Sequence, residues 1–203
     1  MNAFDDLNVS RETFERLKIY ESLLHKWNPR INLVARSTLD SAWQRHILDS
    51  AQIYHLAPHP VAHWADLGSG GGFPGLVVAI MGMEAESPAA VTLVESDTRK
   101  CTFLRTVIRE TGAPAKVIND RIENIDPLQA DVLSARALAD LTTLLGFADR
   151  HLSKTGMAIF PKGESWAKEL SDAERAWSFS HRIAKSKTET GPVILTVTGV
   201  ARA

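Results

Sequence analysis

The 203-residue sequence predicts a doubly wound α/β fold: a seven-stranded sheet, mostly parallel, with an antiparallel C-terminal strand and a helical segment in front. Three observations carry this. After His63, short apolar runs alternate with helical patterns, which gives a parallel sheet with helices on both faces. A glycine-rich stretch at 68–75 separates the first run from the first helix of that alternation. The last two runs are joined through 188–192, a connection short enough for an antiparallel hairpin.

The elements follow in order. Ser10 suits an N-cap, and Phe14, Leu17, Tyr20, Leu24 and Trp27 fall at helical spacing until Asn28-Pro29 ends the pattern. A second helix fits 37–56, with Trp43, Ile47, Ala51 and Tyr54 on one face and Pro58 and Pro60 as stops. Strands are then predicted at 64–67, 91–94, 115–118, 131–133, 158–160, 180–184 and 193–198. Helices are predicted at 73–83, 97–111 (capped by Asp97), 141–152 (with Gly156 just past its end) and 166–177. There is no internal repeat. The expected organisation is an N-terminal helical extension, 1–60, packed on a single compact unit, 61–203.

Composition narrows the function. One cysteine, Cys101, excludes an internal disulfide and a cysteine-built zinc site, and suits a reducing compartment. His25, His55, His59, His63 and His151 show no metal-ligand spacing, so no metal is expected. The chain opens on Asp5 and Asp6 instead of a basic segment and an apolar run, so no signal peptide is expected. The longest apolar stretch, near 75–83, is far short of a membrane span, and a cytoplasmic protein is expected. The net charge of −1 gives no global support for nucleic-acid binding, so any RNA contact must rest on a local patch.

The most informative stretch is Asp66-Leu67-Gly68-Ser69-Gly70-Gly71-Gly72-Phe73-Pro74-Gly75. Its glycines permit a sharp bend and a close ligand approach. Pro74 suits a first helical turn. Residues 70–75 match G-x-G-x-x-G, so a dinucleotide site is the rival reading. Two features weigh against it. The Asp66 carboxylate would repel a diphosphate but suits the amino and sulfonium cations of S-adenosylmethionine. Pro74 also removes an N–H that a diphosphate would use. Gly68, Ser69 and Gly70 then form the bend that receives the cofactor. Glu95, at the end of the second strand, can accept both ribose hydroxyls, or can be a solvated acid near a helix start. Ligands of parallel sheets bind beyond the carboxyl ends of the strands. Arg121, Arg136 and Lys162 are therefore expected to converge there and hold phosphates, although each can equally be a surface ion pair. A parallel sheet with one antiparallel strand and this loop is the Rossmann-like layout of class I methyltransferases.

More specific segments accompany the loop. They are Trp27-Asn28-Pro29-Arg30-Ile31-Asn32-Leu33-Val34, Arg45-His46-Ile47-Leu48-Asp49-Ser50, Arg136-Ala137-Leu138-Ala139 and Lys162-Gly163. In this order, along nearly the whole chain, the sequence resembles the bacterial small-subunit ribosomal RNA methyltransferases of the RsmG (glucose-inhibited division protein B) family. The resemblance implies methylation of N7 of one guanine in 16S ribosomal RNA, with S-adenosyl-L-methionine converted to S-adenosyl-L-homocysteine. It implies cofactor contacts at Gly68, Phe73, Ile122, Glu123 and Arg136, and the 16S RNA or 30S subunit as partner. Ser134-Ala135-Arg136 departs from the family's more usual Ser directly before Arg, which leaves the role of Ser134 open. Phe160-Pro161-Lys162 stands where many members have Ala-Leu-Lys.

Guanine N7 carries an in-plane lone pair and no proton, so no general base is required. Positioning and electrostatics suffice. A cation at the reacting atom would oppose the charge appearing on the base. Arg136 and Lys162 are therefore assigned to phosphate, guanine O6 or the cofactor carboxylate. The target base should be splayed out and held by stacking, with Phe73, Trp166 and Trp27 as candidates, each equally explicable as packing. His46 and Asp49 share a helix face. With Asn28 and Asn32 they either line the RNA side of the cleft or form a structural network. A monomer is expected. The alternatives are an S-adenosylmethionine methyltransferase of a protein or small molecule, which suits the near-neutral charge better, and an RNA-binding module without a cofactor.

Overall fold

The computed structural model describes residues 7–203; Asp5 and Asp6 lie outside it. Seven strands form one sheet: β1 His63–Leu67, β2 Ala90–Val94, β3 Ala115–Ile118, β4 Ala130–Ser134, β5 Leu152–Lys162, β6 Trp177–Lys185 and β7 Val193–Arg202. The helices are α1 Arg11–Ile31, α2 Asp49–Tyr54, α3 Gly75–Gly82, α4 Thr98–Thr111, α5 Leu141–His151 and α6 Trp166–Ala173. The strand order is β3-β2-β1-β4-β5-β7-β6. The first five strands pair in parallel, and β7 runs antiparallel between β5 and β6. The order reverses between β1 and β4, which opens a crevice at their carboxyl ends.

Side chains alternate across the sheet and build two cores. Trp64, Leu93, Val132, Ile159 and Ile194 face the layer of α1 to α4. Leu67, Val94, Leu133, Phe160 and Leu195 face α5 and α6. All eight residues of α3 are buried, which accounts for its unbroken apolar sequence. Among the described residues no helix is long and apolar enough to cross a membrane.

α1 begins where Ser10 accepts from the Thr13 N–H at 3.1 Å, and it buries Leu17, Tyr20 and Leu24 on one stripe. It runs past Pro29 to Ile31, one turn beyond the expected stop. Asn28 explains the end. Its buried Oδ1 accepts from Leu33 N at 2.8 Å and Val34 N at 2.9 Å, turning the chain out of the helix after Asn32 (φ +52°). α4 is capped by Asp97, as expected.

Three expectations are corrected. Residues 37–56 do not form one α-helix. They begin as a 3-10 turn at Arg36–Thr38, pass through a π-helical segment at Trp43–Leu48 and become α-helical only in α2. Gly156 is no helix terminator but lies inside β5, an eleven-residue strand that starts at Leu152. The helix expected at 166–177 stops at Ala173, and Trp177 opens β6 with its ring buried.

Candidate active site

A cavity of about 970 Å³ opens at the carboxyl ends of β1, β2, β4 and β5. One wall is the glycine loop with Glu95 and residues 120–123; the other carries Arg136, Lys162, His46 and Asp49.

The loop is fixed from two directions. The Gly70 N–H donates to Glu95 Oε2 at 2.9 Å, while Glu95 Oε1 accepts from Asp97 N at 2.8 Å. Glu95, a residue only 8% exposed, thus joins the bend to the start of α4. On the far side, the Tyr20 hydroxyl donates to the Gly71 carbonyl, tying α1 to the same bend. Gly70 sits at φ +54°, in the left-handed region, and a Cβ there would meet nothing nearer than 3.8 Å. At Gly75 a Cβ would come within 2.4 Å of Leu93 and 2.7 Å of Asp66, so only glycine lets α3 approach β1 and β2. Ser69 is buried and its hydroxyl donates to the Asp66 carbonyl at 2.9 Å.

Asp66 lies beneath this floor and not in the cavity lining. It is fully buried. Its Oδ1 accepts from Ser134 Oγ at 2.6 Å, and Ser134 in turn accepts from the Trp64 indole at 2.9 Å. That gives Ser134 its role. Asp66 Oδ2 is buried against Gly75 without a hydrogen bond. Burial pushes the carboxyl up to about 6, opposed by the Ser134 bond. The direct contact with a cofactor cation expected for Asp66 is not what this position offers.

Arg136 is the hub of the opposite wall. Its guanidinium lies 5.2 Å from the centre of the Phe73 ring. Nη2 donates to His46 Nδ1 at 3.2 Å, and Nη1 reaches the Arg45 carbonyl at 3.4 Å and Asp49 Oδ2 at 3.5 Å. Asp49 Oδ1 accepts from Gln52 and from Thr188, both at 2.8 Å. Phe73 stacks on Tyr20 at 5.0 Å and 19°, and only 4% of it is exposed. That leaves no ring face for a nucleobase. Of the other aromatic candidates, Trp166 packs with the α5–α6 core and Trp27 on Phe103, 5.8 Å away.

The three expected cations do line the one cavity. Each is paired. Lys162, 8% exposed, meets Glu169 Oε2 at 2.5 Å and the Ala139 carbonyl at 3.0 Å. Arg121 lies 3.8 Å from Glu123, with both side chains largely exposed. Ile122 is held at the lining by His151, whose Nε2 donates to its carbonyl at 3.2 Å. His46 lines the cavity; Asn28 and Asn32 do not. Asn28 is the buried turn-former described above, and Asn32 is exposed at the end of α1. Among the described residues no group of acids, histidines or cysteines could hold a metal.

Sequence reasoning missed Tyr20, Glu169 and Glu189. Tyr20 carried a signal: a phenol on a buried apolar stripe needs a partner for its hydroxyl. The two glutamates carried none, since their cationic partners lie on other elements.

A family model described as rRNA small subunit methyltransferase G matches residues 13–193. The chain is 57% identical over 196 residues to the ribosomal RNA small subunit methyltransferase G of Ruegeria pomeroyi, covering 97% of this chain and 96% of that protein. It is 50% identical over 193 residues to the protein of the same name from Rhodospirillum centenum, covering 95% and 87%. Among solved structures, a TehB-like S-adenosylmethionine-dependent methyltransferase from Corynebacterium glutamicum superposes with a TM-score of 0.58 at 16% identity, over 92% of this chain and all of that one. The ribosomal protein L11 methylase of Lactobacillus delbrueckii gives 0.60 at 16% identity, over 76% and 78%. These structural likenesses bear on the fold, that of class I methyltransferases.

Proposed function

The chain belongs to the rRNA small subunit methyltransferase G family, and on that premise we propose which reaction its cavity supports and what each residue does there. It is a methyltransferase of small-subunit ribosomal RNA. The acceptor is N7 of one guanine in 16S RNA, and the donor is S-adenosyl-L-methionine. The observation that carries this reading is a single cavity with an acid-stapled glycine bend on one wall and a guanidinium on the other.

The residues fit that donor. Glu95 keeps carboxylate lone pairs beyond its two backbone bonds, which suits ribose hydroxyls. Gly70 leaves room where a side chain would intrude. Gly68, Ser69, Phe73, Ile122 and Glu123 complete that half of the site. When bound, S-adenosylmethionine supplies an electrophilic methyl group and leaves as S-adenosylhomocysteine.

The chain's own residues orient and discriminate. Arg136, held by Asp49 and His46, presents a fixed donor fork to guanine O6 or to the donor's carboxylate. Lys162 supports the same wall through Glu169, and Arg121 lies at the exposed rim. N7 attacks with its own lone pair, so these groups position reactants and remove no proton. The near-neutral charge of the chain gives RNA binding no global support, and in the cavity Arg121, Arg136 and Lys162 are accompanied by acids, so RNA contacts rest on individual groups and not on a net positive patch. Segment 1–60 and the sheet unit act together, in the cytoplasm, as a monomer working on 16S RNA or the 30S particle.

Label from the methyl group of the donor should enter 16S RNA and map to a guanine N7. Its absence from RNA, or its entry only into protein or small acceptors, overturns the assignment. Calorimetry with S-adenosylhomocysteine should show binding that Gly68→Arg abolishes.

A further inference from the structure

Four of the cations that line the cavity are already neutralised from within. Arg136 pairs with Asp49, Lys162 with Glu169, Arg121 with Glu123 and Arg45 with Glu189. An incoming polyanion must compete with these acids, and the pairs differ in how firmly they hold. Asp49 also accepts from Gln52 and Thr188. Glu169 also accepts from Leu141 N at 3.0 Å and Ser165 Oγ at 2.9 Å. These two carboxylates cannot leave without orphaning further donors. Glu123 and Glu189 differ: among the described residues each carboxylate pairs with one cation alone, and of these two pairs Arg121–Glu123 is a loose 3.8 Å contact whereas Arg45–Glu189 is a close one.

Glu189 sits on the β6–β7 turn, which is anchored independently of it. Thr188 Oγ1 donates to Asp49 at 2.8 Å, and the Lys187 N–H donates to Gln52 Oε1 at 3.0 Å. The turn therefore keeps its place when the glutamate side chain swings away. Both partners are reachable, Arg45 with 42% and Glu189 with 28% of its side chain exposed, and both line the cavity. The Arg45 carbonyl accepts from Arg136, so Arg45 stands at the doorstep of the reacting centre.

We infer that Arg45 binds a phosphate of the RNA next to the target nucleotide, and that Glu189 is the internal anion this phosphate displaces. The inference rests on the RNA reading above. A guanidinium accepts phosphate in the same bidentate geometry as carboxylate. An exposed ion pair contributes little to stability, so its exchange for a phosphate is readily reversed. RNA that brings no phosphate to this point gains nothing from Arg45, and Glu189 then adds its own repulsion.

The test is equilibrium binding of a 16S RNA transcript to wild type, Glu189→Gln, Arg45→Gln and the double variant across a range of salt, with thermal unfolding to verify the fold. Glu189→Gln should bind three- to tenfold tighter. Arg45→Gln should bind several-fold weaker, with the slope of log K against log salt flatter by about 0.7 for one single-strand phosphate contact. In the Arg45→Gln background, Glu189→Gln should change affinity less than twofold. Equal tightening in both backgrounds means Glu189 acts as bulk charge and overturns the inference, as does an unchanged slope in Arg45→Gln. If wild type binds and methylates RNA while the two positions are additive, only this inference fails. If wild type shows no RNA binding, the RNA reading falls and takes this one with it.

Discussion

Arg136 donates to Nδ1 of His46, and that bond fixes the protonation of the ring. A guanidinium can only donate, so Nδ1 is unprotonated and the imidazole hydrogen sits on Nε2. Nε2 then donates to Thr38 Oγ1 at 2.8 Å, and Thr38 passes its own hydrogen to the Ala35 carbonyl at 2.8 Å. The turn after α1 is thereby wired to the cavity wall in one direction.

Burial, with Arg136 and Arg45 close by, lowers the His46 pKa to about 4. The unfolded chain titrates near 6.5. Between these values the unfolded state holds more protons, so stability rises with pH and is lost on acidification from about 6.5 towards 4. In His46→Gln the amide oxygen can still accept from Arg136, and this loss should disappear. Urea midpoints of both proteins at pH 4.5, 5.5 and 7 will show it: wild type should fall relative to the variant as pH drops. Parallel curves would mean the ring is not the neutral acceptor described.

Arg136→Ala should lower methyl transfer to RNA at least tenfold while the urea midpoint moves little. Asp49 keeps its Gln52 and Thr188 bonds when the guanidinium is gone, so the wall stays standing. Near-wild-type turnover in a steady-state assay would remove Arg136 from the site.

How much of this was legible beforehand varies by element. β1, the glycine bend and β2 could be read directly, because each strand alternates between two cores within four or five residues. The 43–48 segment could not. Its apolar spacing resembles an α-helix, with Ile47 and Ala51 indeed buried, but the wider π-turn is supported by bonds from Arg45 to Glu189 and from His46 to Thr38 and Arg136. A partner 90 residues away, as Arg136 is from His46, leaves no trace in local periodicity. The convergence of Arg121, Arg136 and Lys162 followed from topology alone. Which carboxylates meet Arg136 and Lys162 did not, since Asp49 and Glu169 lie on separately folded helices; Arg121 meets Glu123 only two residues away. Asn28 shows the reverse: a polar residue in a distinctive segment turned out to serve the backbone.

Tyr20→Phe should cost about 1–3 kcal/mol of stability, because the buried Gly71 carbonyl loses its donor. S-adenosylhomocysteine should also bind more weakly by calorimetry, since the bend it rests on is released from α1. A variant with unchanged affinity would show that Glu95 alone positions the loop.

Asp66→Asn should respond to pH with the opposite sign to His46. Its carboxyl is raised in the folded state to about 6, chiefly by burial. Ionisation therefore penalises the native protein, and the penalty accumulates as pH rises from about 4 to about 6. The asparagine keeps an oxygen for Ser134 and escapes that penalty. Chemical denaturation should show the variant gaining on wild type across this interval and holding the gain above it. A gap that shrinks with rising pH would show the carboxylate is stabilising as an anion.

The phenol of α1 reaches the glycine bend across 51 residues of chain. On the proposed reading, the first helix is therefore part of the cup for the methyl donor and not a removable attachment for RNA. A shortened version starting at Val61 would possess every strand and both acids at the strand ends, yet its bend would have lost its rear buttress and Phe73 its stacking neighbour. Such a fragment should fail at small-molecule binding before any question of ribosomal RNA arises.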